Sequence, residues 1–431
     1  MMFFKRSLPR LLAGTALAAV TALALAGCQG AAAGGPNGGE NAGGESVPFG
    51  SSDAEWAAAF EDAEPVELVM QSANSATSLQ GELQAREWSR LEEITGGKVK
   101  VELVFGDAIA ANVEADEALA DGRIDLHLLV PFLQPSDFPV SGQFALETTV
   151  TRDSPLVSGT LASFGAVNET LHQTDELITE YADRNLTVMN PLVHTGNVVM
   201  ACSEPLTSLA DLKGKQVRVG PQPAFGQVEA LGATPVSVAY ADLFESLQRG
   251  IVDCLVIGLT TMQGIPGMID LVPYLHSPVG TGFVSTPGIE VVGGRWSEFS
   301  LPLQQLIWDT FHRIDLLSVQ DFVSTEAENT VDSAEAAGGG LLTFDEEVSA
   351  ALKAHNEGIV GAWEASTLVD GGAFTKRLDS AYEKWEGLIA DAGYSTAEAA
   401  EVEAWRGVDT DWSAFEKAYN ENVTIPYRPQ G

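Results

Sequence analysis

Apolar and polar positions follow two periods along most of the chain. Val66 to Met70 form a short apolar run, and Val99, Val101, Leu103 and Phe105 recur at every second position, as in half-buried strands. Between them, Leu83, Trp88, Leu91 and Ile94 share one helical face within residues 82–95, and Gly96-Gly97 stops that helix. A helix around 113–121 leads through Gly122 into an apolar strand at 124–130. This β-α-β-α-β order predicts an α/β fold with a mostly parallel sheet covered by helices. Residues 131–143, dense in Pro and Gly, predict an irregular segment along a cleft rim.

The second half repeats the alternation. A helical stretch at 169–182 precedes strands at 186–189 and 196–202. Lys213-Gly214-Lys215 then turns into an apolar strand carrying one arginine, Arg218. A helix ends at Leu231-Gly232, Pro235-Val236 starts a short strand, and Leu243, Phe244 and Leu247 form a helical face ending at Gly250. An apolar run to Leu259, a helix near Ile265 and a strand at 288–292 follow. Residues 303–336 read as one long helix, 341–344 as a strand and 346–365 as a helix. Beyond Val369, a helix at 382–392 puts Trp385, Leu388 and Ile389 on one side, and Trp405, Trp412, Phe415 and Tyr419 are expected against the body.

The N-terminus reads as an export leader. Lys5, Arg6 and Arg10 precede an unbroken small-apolar run from Leu11 to Leu25, closed by Leu25-Ala26-Gly27-Cys28. Small residues before a cysteine are what a lipoprotein signal peptidase requires, so residues 1–27 are expected to be removed and Cys28 to be lipidated. The apolar run is too short to cross a bilayer comfortably. Gly-rich sequence follows, and residues 28–64 are expected to be lipidated cysteine and flexible linker. Losing the leader's three cations takes the formal net charge from −37 to −40. That sign excludes nucleic acid as a partner. An anionic ligand approaches against the bulk field, so any arginine receiving it must lie in a cleft that focuses potential locally. No G-x-S-x-G elbow, H-E-x-x-H helix, P-loop or C-x-x-C pair occurs, so the sequence supports no catalytic residues, no metal site and no cofactor.

The series Asp211-Leu212-Lys213-Gly214 … Arg218-Val219 … Leu231-Gly232-Ala233-Thr234-Pro235-Val236 … Leu247-Gln248-Arg249-Gly250-Ile251-Val252-Asp253 resembles the solute-binding proteins of TRAP transporters, the dicarboxylate and sialic acid receptor family. "GGK" at Gly96-Gly97-Lys98 and Ile124-Asp125 after Gly122 add to the likeness, which spans roughly residues 66–365. The resemblance implies a two-lobed periplasmic-binding-protein-like fold with hinge strands and a long lobe-bridging helix. It implies residues 65–195 plus 284–323 in lobe 1 and 196–283 plus 324–431 in lobe 2. It also implies a monomer that hands a small organic acid to membrane permease subunits.

Residue by residue, the resemblance gives Arg218 the two-point contact with the ligand carboxylate, for which a planar guanidinium is suited. Tyr240 matches the family's aromatic after the third signature strand, and Asn74 lies on the loop after the first strand. Val130, Val198 and Ile257 stand where the family has polar groups, which implies a pocket with one charged end and an apolar remainder. His194, Asn197 and Phe225 are further cleft candidates. The family's topology sets the strand closed by Cys202 antiparallel to the strand opened by Cys254, and so implies a disulfide between them. The expected function is extracytoplasmic capture of a monocarboxylate with an apolar body. The alternatives left open are a binding protein feeding a sensor or another transporter class, and a surface-anchored hydrolase.

Overall fold

The computed structural model describes residues 43–149, 155–193, 197–220, 223–238, 242–259, 261–265, 267–285 and 287–430. Eleven described strands form two sheets. The first has the order β2-β1-β3-β10-β4, and the second β11-β9-β5-β8-β6-β7. The first comprises β1 (Val66–Ser72), β2 (Val99–Phe105), β3 (Leu126–Leu129), β4 (Thr187–Val193) and β10 (Gly288–Val292). The second comprises β5 (Val198–Cys202), β6 (Gln216–Val219), β7 (Thr234–Ser237), β8 (Cys254–Gly258), β9 (Tyr274–Ser277) and β11 (Gly340–Thr343). Each sheet is parallel except where the chain has just arrived from the other. β10 lies antiparallel between β3 and β4, and β5 lies antiparallel between β8 and β9.

Helices pack where the apolar spacing demands. In α1 (Asp53–Ala59), Trp56 is buried, and Ser52 and Glu55 cap the start reciprocally. α2 (Leu79–Ile94) buries Leu83, Trp88, Leu91 and Ile94, and Ser78 accepts from Gly81 N–H at its start. α3 (Pro139–Thr149) and α4 (Leu156–His172) follow, then α5 (Pro223–Ala230), which begins just after β6. α5 and the helix after β7 end at Gly232 and Gly250, where φ values of +77° and +67° favour glycine.

The expected single helix at 303–336 is broken into α6 (Leu301–Val323) and α7 (Thr325–Ala336). Ser324 leaves helical geometry at φ −126°, ψ −96°, and its hydroxyl donates back to the Gln320 carbonyl. α6 packs on α2, α4 and β4 of the first sheet, whereas α7 packs on β11 of the second. The break therefore falls where the helix passes between sheets. α8 (Glu346–Glu364) then covers α5, and α9 (Gly371–Ala392) and α10 (Ser413–Tyr419) complete the tail.

Two domain expectations change. Of the stretch 28–64 expected as linker, the part from Gly43 is tied to the body. The Gly43 carbonyl accepts from Leu301 N–H, Val47 N–H donates to Gln305 Oε1, and Trp56 and Phe60 are buried. The tail, expected with the second lobe, packs mainly on helices of the first sheet, while Arg406 pairs with Asp332 and Glu335 of α7. Trp385 of α9 lies against Gly165 of α4, Phe415 and Tyr419 close round the same indole, and Arg428 forks onto Asp309 of α6. Leu388, expected inward, is exposed. The expected irregular segment at 131–143 shortens, because α3 begins at Pro139.

Cys202 and Cys254 are register partners across β5 and β8, with Cα atoms 4.1 Å apart and sulfurs bonded at 2.13 Å.

Candidate ligand-binding site

In open α/β sheets the carboxyl ends of the strands, where the loops turn into helices, form the ligand crevice. Arg218 sits near the carboxyl end of β6, half-buried, flanked in register by Val236 of β7 and Leu255 of β8. Its Nε donates to the Val238 carbonyl at 3.2 Å, which fixes the plane of the guanidinium. A Cβ on Gly220 would lie 3.6 Å from Nη1, so the fork lies over the glycine that leads to α5. A fixed guanidinium plane at a strand end suits two-point recognition of a carboxylate.

The carboxyl ends of β1, β2 and β3 in the first sheet carry an ordered polar frame. Asn74 is half-buried on the loop after β1, held by Ser72 Oγ to its N–H and by Gln84 Oε1 to its amide. Gly106 N–H donates to the Asn74 carbonyl, and Asp107 N–H to that of Ser72, so the turn after β2 lies beside Asn74. Asp107 has a left-handed φ of +51°. Its carboxyl is raised by burial and lies 4.0 Å from His127 Nε2. Burial holds His127 below its usual range, hence neutral; Nδ1 donates to the Gln71 carbonyl, leaving Nε2 to accept from Asn112 Nδ2 at 3.3 Å. Asn112 Oδ1 in turn accepts from Val130 N–H.

Val130 follows β3 and is half-buried. Val198 and Ile257 do not share a wall. Val198 pairs with Gly258 and Ile257 with Val199, and because strand side chains alternate, the two valine and isoleucine side chains point to opposite faces of the second sheet. Ile257 is buried in the large core with Val199 and Leu255, while Val198 and Phe225 pack on the core of the other face. Asn197 accepts from Thr160 Oγ1 through Oδ1 at 2.9 Å, and its carbonyl accepts from Leu259 N–H, ties that make it part of the passage between sheets. His194, Tyr240 and Cys28 lie outside the described residues.

Several groups were not singled out from the sequence: Gln71, Asp107, Asn112, His127 and Thr160. Gln71 and His127 carried a readable signal, each being a polar residue inside an apolar strand. Their burial at 0 % shows that they brace the loops. A cavity of about 510 Å³ opens between α3 and the pair α5 and α8, lined by Gln143, Leu146, Gly226, His355, Ile359 and Trp363. A larger cavity, about 650 Å³, lies elsewhere, between α4, α8 and α9, and Arg218 does not border it. Among the described residues no group of three or more His, Cys, Asp or Glu side chains could hold a metal ion.

Comparison with known proteins gives the frame. The sequence model of the bacterial extracellular solute-binding proteins, family 7, matches residues 70–365. A solute-binding protein of Roseobacter denitrificans is 25% identical over 167 residues, 38% of this chain and 47% of that protein. The ectoine-binding periplasmic protein of Halomonas elongata is 21% identical over 204 residues, 47% of this chain and 49% of that protein. The chain thus spans about half the length of the curated relatives it matches. Among solved structures, a marine-metagenome TRAP solute-binding protein specific for aromatic acids, in complex with 3-hydroxybenzoate, superposes with a TM-score of 0.63 at 20% identity, over 75% of this chain and 99% of its own. A second marine-metagenome TRAP protein, in complex with pyroglutamate, gives 0.60 at 17% identity, over 74% and 99%. These likenesses show a common two-lobed fold.

Proposed function

Because the chain belongs to the bacterial extracellular solute-binding proteins of family 7, whose members bind solutes and are not enzymes, we propose that it captures a small monocarboxylate with an apolar body and passes it to a TRAP-type permease. The observation carrying this reading is Arg218, placed at the carboxyl end of β6 with its plane set by Val238. Similar solved proteins hold 3-hydroxybenzoate and pyroglutamate, each with one carboxylate, which supports the same class here. The apolar side of the pocket is assigned to Val130, with Tyr240 as the aromatic; Ile257 shares Arg218's face of the second sheet but is buried in the core, and Val198 and Phe225 lie on the opposite face. Asn74 and the neighbouring turn supply polar contacts from the first lobe. Removal of apolar ligand surface from water on closure adds affinity.

The leader motif supports lipidation at Cys28, which would hold the body at the outer face of the membrane by two acyl chains. No described helix is long and apolar enough to cross a membrane.

A thermal-shift screen of organic acids against the purified protein tests the ligand class, since a tight ligand raises Tm by mass action. Calorimetry with the best acid then tests the site. Arg218→Ala is expected to abolish tight binding with Tm of the free protein little changed, and Arg218→Lys to stay weak because a point charge does not replace a fork. Wild-type affinity in either variant would remove Arg218 from the site, and tight succinate or malate binding would overturn the monocarboxylate reading.

A further inference from the structure

Deep in the first sheet, two carboxyl groups meet without a cation. Glu290 lies on β10, paired in register with Asn190 of β4 and Leu128 of β3. Asp315 comes down from α6, and the two carboxyls hydrogen-bond to each other. Both are buried, at 3 % and 2 % exposure. Asn190 Nδ2 donates to Asp315 Oδ2. Tyr419, from the tail, closes the cluster beside Asn190, and Glu290 Oε2 is buried without a hydrogen-bond partner.

β4 offers Asn190, β3 offers Leu128, α6 adds His312, the tail adds Tyr419, and α4 adds His172 behind His312. Burial pushes His172 down to about 3 and His312 well below its usual range, so both rings are neutral. Burial raises the Tyr419 hydroxyl well above its ordinary value. No lysine or arginine contributes to the charge balance of either carboxyl. Two like charges in contact in a low-dielectric interior do not both persist. Burial raises Glu290 well above its ordinary value and Asp315 to about 7.

The location gives the pair a consequence. β4 of the first sheet ends at Val193 and β5 of the second begins at Val198, β10 follows β9 of the second sheet in the chain, and α6 runs to the break at Ser324. Three connections between the sheets are therefore rooted at one cluster. We propose that Glu290 and Asp315 share a single proton at neutral pH, and that its loss in alkali loosens the roots of these connections.

The sign follows from linkage. The folded pair keeps a proton that the unfolded chain releases near pH 4, so stability is full below that value and falls as pH rises through the neutral range. One proton corresponds to a rise of up to tenfold in the unfolding constant per pH unit.

The test uses the purified full chain, Glu290→Gln and Asp315→Asn. Each amide supplies the N–H that the shared proton supplied, so the remaining carboxylate can ionise without a clash of charge. Infrared spectra of the wild type should show a buried protonated carboxyl band at neutral pH that fades in alkali and is shifted in both variants, where the partner is an amide. Tm should fall from about pH 5 to about pH 9 in the wild type and be flatter in the variants. Amides of β4 and β10 should exchange faster in the wild type than in Glu290→Gln at the alkaline end. The proposal is overturned if the wild-type band is missing at neutral pH, which needs no variant to fold, or if the pH slopes coincide. It is also overturned if added sodium or calcium, and not protons, sets Tm through Glu290 and Asp315.

Discussion

Gly165→Ala should destabilise the protein, although alanine is the better helix former. Gly165 lies within α4, where replacing glycine by alanine is ordinarily worth about 0.5–1 kcal/mol of stability. Here a Cβ would enter the indole of Trp385, 2.5 Å from Cε2 and closer still to Cδ2 and Cε3. The ring has nowhere to go. It is 0 % exposed, its Nε1 donates to Glu169 Oε2 at 2.7 Å, and Phe415 and Tyr419 pack against it with centroids at 6.2 and 6.3 Å. Overpacking of this kind costs about 1–3 kcal/mol, so the net expectation is about 1–2 kcal/mol of lost stability. Trp385→Ala alone should cost about 3–5 kcal/mol by opening a cavity. In that background Gly165→Ala should turn stabilising, by about 0.5–1 kcal/mol, because only the helical preference is left. The coupling across the cycle is then about 2 kcal/mol. Denaturant unfolding followed by far-UV circular dichroism measures all four proteins without relying on the tryptophan signal. If Gly165→Ala stabilises the wild type, or has the same sign in both backgrounds, α9 is not packed on α4 as described.

Two further outcomes follow from the tail and the second sheet. Arg428→Ala strands Asp309, whose carboxyl burial already raises against the pull of the guanidinium. The loss should be about 3–5 kcal/mol near neutral pH and smaller at acid pH, where Asp309 can take up a proton; an equal loss at both pH values would contradict it. Breaking the Cys202–Cys254 bond frees a loop of 52 residues, worth about 4 kcal/mol in the chain-entropy model. Alkylation without reduction followed by mass spectrometry should leave both cysteines unmodified, and two modified cysteines would remove the bond.

The strands and helices that carry the family likeness were legible because most obey one period and several end at a glycine. Leu83, Trp88, Leu91 and Ile94 form the buried face of α2 as their spacing requires. What the spacing does not reveal is which of two buried faces a strand residue takes. β5 and β8 are apolar on both sides, so nothing in Val198 or Ile257 tells that one packs under α5 and the other in the core shared with the first sheet. β9 was missed for a related reason: Tyr274–Ser277 is short and holds a histidine. Its burial makes sense only once His276 Nδ1 is seen against the Met200 carbonyl and Nε2 accepting from Leu206 N–H. The break at Ser324 was hidden because the apolar stripe runs on through it. A serine hydroxyl that returns to a carbonyl one turn back is a local competitor for helical geometry and leaves no mark on periodicity.

The tail was unreadable for a different reason. Its aromatics announce burial but not the surface they bury against, and that surface is spread over three distant parts of the chain. Phe144 of α3 packs between Trp363, at the end of α8, and Phe374 of α9, with centroids at 4.8 and 4.4 Å, while Ser366 Oγ donates to Gln143 Oε1. α8 belongs with the second sheet and α9 lies on α4 beside the first, so the turn between them is one more connection between the sheets, sealed by aromatic contact. Residues 366–430 lie past the matched family region, and similar solved structures are covered almost entirely by about three quarters of this chain. The segment thus adds to a two-lobed frame a joint that apolar burial holds shut. Any relative motion of the sheets must carry α3, α8 and α9 together or expose that aromatic cluster to water.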